Sequence, residues 1–142
     1  MRVITGELRG KKLKEPSNYD IRPTTDMVKE AIFNIIQFDI EGRRVLDLFA
    51  GTGQLGIECL SRGAESVTFV DQSKEAVSLV KSNLKSCGVE ARVVQDDSIA
   101  FLSRGGKFFH AKRRNSLLRK SPLSVLPPNV CFGTPPSPAR CF

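Results

Sequence analysis

No apolar run in this 142-residue sequence approaches the length of a membrane span, and the opening Met1-Arg2-Val3-Ile4-Thr5-Gly6-Glu7 has none of the apolar core of a signal peptide. A cytoplasmic protein with no membrane partner is therefore expected. Cys59, Cys87, Cys131 and Cys141 form no C-x-x-C pair, and His110 is the only histidine. No metal is expected, and the thiols read as reduced small hydrophobes. Acids are missing from one end: residues 107–142 hold 7 Lys+Arg, no Asp or Glu, and 6 of the 8 prolines. Residues 1–106 hold 15 residues of each sign, so the net charge of +7 describes the tail and gives no evidence of a basic face elsewhere. The length allows one domain.

What is present is organised around Val45-Leu46-Asp47-Leu48-Phe49-Ala50-Gly51-Thr52-Gly53-Gln54-Leu55-Gly56. An apolar strand meets a carboxylate, and a glycine loop then opens a helix. Gly51 and Gly53 allow a sharp turn and a close approach of backbone to ligand. The helix start turns free N–H groups and the positive end of its dipole toward that ligand. Gly51-x-Gly53-x-x-Gly56 also fits the dinucleotide fingerprint, and Asp71, twenty residues on, suits a ribose in either reading. The carboxylate of Asp47 suits a cationic amino-acid moiety better than a pyrophosphate, which favours S-adenosylmethionine (SAM) over NAD. D-x-F-x-G-x-G resembles motif I of the class I SAM-dependent methyltransferases. The plainer reading is a tight turn with Asp47 as a cap.

Along the chain, residues 2–14 read as a hairpin. Arg2, Arg9, Lys11, Lys12 and Lys14 are opposed there only by Glu7, which fits phosphate contact or a solvated face equally. Arg22-Pro23-Thr24-Thr25-Asp26 opens a helix to about residue 37, with Val28, Ala31, Ile32, Ile35 and Ile36 on one face and Phe33 and Asn34 flanking it. Strands at residues 44–48, 66–70 and 91–95 alternate with helices at 54–62, 73–88 and 98–103, which specifies a parallel sheet. Acids close all three strands: Asp47, Asp71 and Asp96-Asp97. Ligands of such sheets bind beyond the carboxyl ends of the strands, although acids there also simply cap helices.

Taken together, the first three quarters of the chain resemble the RsmD-type methyltransferases. The resemblance rests on Met1-Arg2-Val3-Ile4-Thr5-Gly6 with Leu8-Arg9-Gly10, Arg22-Pro23-Thr24-Thr25-Asp26, Glu30-Ala31-Ile32-Phe33-Asn34 and residues 45–53. It continues through Leu60-Ser61-Arg62-Gly63-Ala64, Phe69-Val70-Asp71 and Asp97-Ser98-Ile99-Ala100-Phe101-Leu102. It implies a Rossmann-like α/β fold and methylation of a guanine N2 amine in small-subunit ribosomal RNA, free or in the assembling subunit. It further implies that Asp47, Gly51 and Gly53 hold the methionine end of SAM, Asp71 the ribose, and Asp97 with Ser98 the adenine. Arg22 and Thr24 would lie near the target base, and Arg9 on the hairpin would touch RNA.

The family pattern is lost at Lys107-Phe108, where a fourth apolar strand ending in an acid-Pro-Pro-aromatic motif would follow. That motif would accept the amine hydrogens and stack the extruded base. Residues 109–116 hold neither strand pattern nor acid. The expectation is therefore a family domain over residues 1–107, its sheet truncated after the third strand with residues 45–48 as an exposed edge. Residues 108–142 are expected to be a disordered basic tail or out of frame, and the chain to carry no catalytic residue of its own. The alternative is a catalytically silent SAM- or RNA-binding module whose basic tail is functional.

Overall fold

Strand and helix alternate wherever the apolar spacing changes period, and the computed structural model, which describes residues 1–17, 24–110 and 124–125, follows that alternation. The elements in order are α1 (Asp26–Ile36), β1 (Arg44–Asp47), α2 (Gln54–Ser61), β2 (Ser66–Asp71), α3 (Lys74–Cys87), β3 (Arg92–Gln95), α4 (Ser98–His110) and β4 (Ser124–Val125). All strand pairs are parallel, in the order β3-β2-β1-β4. Thr25 caps α1 and Ser73 caps α3 through side-chain oxygens, while Gly88 ends α3 in the left-handed region.

The core lies between the sheet and α2 and α3, and includes Val45, Ile57, Val67, Phe69, Val80 and Leu84. Helix α2 sits flush on β2 because Gly56 has no side chain. A Cβ there would lie 2.2 Å from Cε1 of Phe69 and 3.0 Å from Cγ1 of Val67. Gly56→Ala is therefore expected to lower stability by about 1–3 kcal/mol, as overpacking does, despite alanine's better helix propensity. Urea denaturation checks it, and an unchanged midpoint would contradict the packing argument.

The N-terminal hairpin forms around a single antiparallel bridge, Arg2 with Lys12. Val3 and Leu13 are its buried side chains. Its edges are fastened to the helices by four buried polar residues, Lys29, Glu58, Ser61 and Asn83. Their spacing alone does not distinguish them from solvated positions.

Three expectations are corrected. The inner face of α1 is formed by Lys29 and Phe33 with the half-buried Ile32 and Ile36, whereas Val28, Ala31 and Ile35 are exposed. The reason is polar: Nζ of Lys29 donates to the Arg2 carbonyl at 2.8 Å and pairs with Asp26. The Phe33 ring meanwhile packs under the Arg62 guanidinium, 4.4 Å from its centroid. These contacts rotate the helix away from its most hydrophobic stripe. Second, α4 runs to His110 and does not stop at residue 103. Glycine disfavours a helix interior by only about 1 kcal/mol, so Gly105-Gly106 is not an obligatory stop. Third, the sheet does not end at three strands. Val45 and Leu46 pair with Ser124 and Val125, so β1 is an inner strand where an exposed edge was expected. Two residues of ladder need only backbone groups, which no side-chain pattern advertises. Other expectations for the tail, including disorder and an out-of-frame origin, lie outside the described residues.

Candidate cofactor-binding site

Parallel pairing sets Asp47 beside Phe69 and Asp71 beside Gln95, so the strand-end acids gather along one edge of the sheet. The loop between Asp47 and α2 reverses the chain through Gly51 (φ 52°) and Gly53 (φ 76°). A Cβ on Gly53 would also crowd Val80, at 3.1 Å. Helix α2 starts at Gly53 without a side-chain cap.

Asp47 is buried at the floor of this loop. Burial pushes its carboxyl up to about 7, the backbone N–H groups of Phe49 and Gly56 pull it down, and the nearby Asp71 charge raises it. One of its oxygens, Oδ2, has no hydrogen-bond partner. The other such buried atom among the described residues is Oε1 of Gln54, the first residue of α2. Two unpaired buried acceptors, on the residues at either end of one glycine loop, suit a ligand that brings donors. The residues present thus fit a cofactor with a cationic amino group.

Asp71 is a strut of the same loop. Its Oδ2 accepts from the Gly51 N–H at 2.8 Å and its Oδ1 from the Ser73 N–H at 2.9 Å. Each oxygen keeps a second lone pair. The Asp71 carbonyl in turn accepts from the Asp96 N–H at 3.0 Å, which carries the edge on to Asp97 and Ser98. Asp97 caps α4 by accepting from the Ala100 N–H at 2.9 Å, and Asp96 pairs with Arg104.

The structure therefore brings Asp47, Gly51, Gly53 and Asp71 together at one loop, Asp71 bonded directly to Gly51, with Asp97 and Ser98 adjoining. The Thr24 carbonyl joins it by accepting from Nε2 of Gln54 at 3.3 Å, and Arg22 lies outside the described residues. Arg9 stands apart: its turn is fastened to Ser61, about 12 Å along α2 from the loop. Sequence reasoning missed Gln54 and Asn83. Gln54 could have been found as the first side chain after the second glycine, whereas nothing in the spacing marks Asn83. Among the described residues no group of His, Cys, Asp or Glu is placed to hold a metal ion, and no helix is long and apolar enough to cross a membrane.

Known proteins resemble this chain over about its first three quarters. Residues 1–110 match the family described as "Conserved hypothetical protein 95". The "Putative rRNA methyltransferase YlbH" of Bacillus subtilis is 49% identical over 75% of this chain and 59% of its own length. "Ribosomal RNA small subunit methyltransferase D" of Escherichia coli is 38% identical over 75% of this chain and 54% of its own. The solved structure of protein TTHA0928 from Thermus thermophilus superposes with a TM-score of 0.69 at 34% identity, covering 77% of this chain and 63% of that one. The chain thus spans little more than half the length of the curated relatives it matches. With the class I methyltransferase sheet, the glycine loop and these relatives in agreement, the chain belongs to the RsmD-type methyltransferase family.

Proposed function

We propose that this chain is the cofactor-holding part of a SAM-dependent methyltransferase acting on the N2 amine of a guanine in small-subunit ribosomal RNA. The observation that carries the cofactor reading is the unpaired, buried Oδ2 of Asp47 at the glycine loop. In this reading Asp47 accepts from the α-ammonium of SAM, with Oε1 of Gln54 as a second acceptor, and the loop backbone at Gly51 and Gly53 admits the methionine moiety. Asp71 uses its remaining lone pairs for the ribose diol, and Asp97 and the Ser98 backbone face the adenine. The bound cofactor supplies a methyl group on a sulfonium, and these residues hold it in one orientation. The names of the curated relatives support ribosomal RNA as the substrate class. The basic hairpin, with Arg9 at its turn, supplies phosphate contacts, and Arg22 and Thr24 border the target base.

The acid-Pro-Pro-aromatic segment that would align the amine has no counterpart in residues 108–142, which contain no acid. Calorimetry is therefore expected to show SAM binding, while transfer of labelled methyl from SAM to small ribosomal subunits stays at the level of an Asp47→Ala control. Absence of binding would sink the cofactor assignment. Transfer well above the control would show that the missing motif is dispensable.

A further inference from the structure

Asn83 lies on α3, wholly buried, between two features that the sequence keeps far apart. Its Nδ2 donates to the Thr52 carbonyl, inside the glycine loop, at 2.9 Å. The same Nδ2 donates to the Lys14 carbonyl at 3.2 Å, and its Oδ1 accepts from the Lys14 N–H at 2.7 Å. Lys14 ends the return arm of the basic hairpin. One amide therefore ties the cofactor loop to the hairpin. Val80, one turn earlier on the same helix face, is the side chain against which Gly53 packs. A weaker second contact runs in parallel, the Thr52 hydroxyl donating to Sδ of Met1 at 3.6 Å.

A hairpin with one bridge and an exposed basic surface is held by its attachments more than by its own ladder. At its turn end those attachments are to Glu58 and Ser61. Toward its open end Lys29 holds the Arg2 carbonyl, and Lys14 is held by Asn83, which also reads the position of Thr52. A ligand that fixes the loop fixes the Thr52 carbonyl, the acceptor that holds the Asn83 amide in the orientation that meets Lys14. Ordering at one site then lowers the entropy lost at the other.

We propose that Asn83 is a positioning residue that couples cofactor occupancy to order in the hairpin, so that SAM and a polyanionic RNA bind this chain with positive cooperativity. This rests on the SAM reading above. By linkage, the factor by which SAM tightens RNA must equal the factor by which RNA tightens SAM.

The test is amide hydrogen exchange on the intact chain with and without saturating SAM, read at Val3, Gly10, Leu13 and Lys14, with saturation set by calorimetry. Slowing of these amides by about fivefold or more supports the coupling, as does its loss in Asn83→Asp. That variant keeps an acceptor for the Lys14 N–H but has no donor for the carbonyls of Thr52 and Lys14. A purely structural role for Asn83 would slow or speed exchange equally with and without SAM, which overturns the proposal. Binding of SAM to the unmutated chain without protection of the hairpin also overturns it, and needs no variant to fold. No calorimetric binding at all overturns the cofactor reading itself, and the coupling with it.

Discussion

Asp47→Asn is expected to melt at a higher temperature than the parent chain at pH 8 without cofactor, and to bind SAM at least about tenfold more weakly. Both effects follow from one buried carboxylate. Its pKa is raised from 3.8 to about 7, chiefly by burial, so the folded state binds a proton more tightly than the unfolded chain does. The sign follows directly: its contribution to stability is full below the unfolded value and is lost as pH rises through about 7. At pH 8 the parent holds a buried charge with Oδ2 unpaired. Asparagine keeps an oxygen for the Phe49 and Gly56 N–H groups, carries no charge, and is expected to recover on the order of 1–3 kcal/mol.

The cofactor reverses that preference. An ammonium at Oδ2 favours the ionised carboxylate, so binding should release a proton and weaken by up to about tenfold per pH unit below the raised pKa. Calorimetry in two buffers of different ionisation enthalpy reads the proton release, and melts at about pH 6 and pH 8 read the stability term. If Asp47→Asn bound SAM as tightly as the parent, Asp47 would serve only to hold the Phe49 and Gly56 N–H groups.

The second large effect is expected at Glu58, which no motif singles out. Glu58→Ala should destabilise the chain by about 3–5 kcal/mol, the range for removing one partner of a buried ion pair. Its Oε2 accepts from the Ile4 N–H at 2.8 Å, and its Oε1 from the Thr5 N–H at 3.0 Å. Oε1 also takes the Arg62 guanidinium through Nε and Nη2 at 3.1 Å. Alanine leaves two backbone donors and a largely buried cation without partners, and frees the Arg62 group that stacks on Phe33. Hairpin, α2 and α1 should loosen together. Glu58→Gln can satisfy the same donors with a neutral oxygen and should lose less than half as much. Urea midpoints of the two variants decide it, and equal losses would contradict the pairing argument. Hydrogen exchange adds a directional check: in Glu58→Ala the amides of Ile4 and Thr5 should lose protection first, while those of β2 stay the better protected.

Where residue type and backbone need coincide, the sequence was legible. Gly51 and Gly53 were read as backbone turns, and both take positive φ. Asp47 and Asp71 stand at the ends of the apolar strands that precede them, and parallel pairing sets them on the same edge. Thr25, Ser73 and Gly88 marked helix ends correctly because capping is a local matter of one side chain or one dihedral. What failed was orientation. The inner face of α1 does not follow its most hydrophobic stripe, because Lys29 and Phe33 turn inward to meet partners far away in the chain.

The sequence by itself determined the βα order, the glycine cradle, the strand-end acids and the family, since each depends on residues adjacent in the chain or at fixed spacing. Only the tertiary structure decided which polar side chains are buried and what they hold. It alone turned Asp71 into a strut for Gly51, left Oδ2 of Asp47 and Oε1 of Gln54 unpaired, and set Asn83 between Thr52 and Lys14. The physical reason is range. Helix caps and strand periods are satisfied within a few residues, but a buried donor or acceptor must find its partner wherever folding brings one. For Lys14 and Asn83 that partner is 69 positions away.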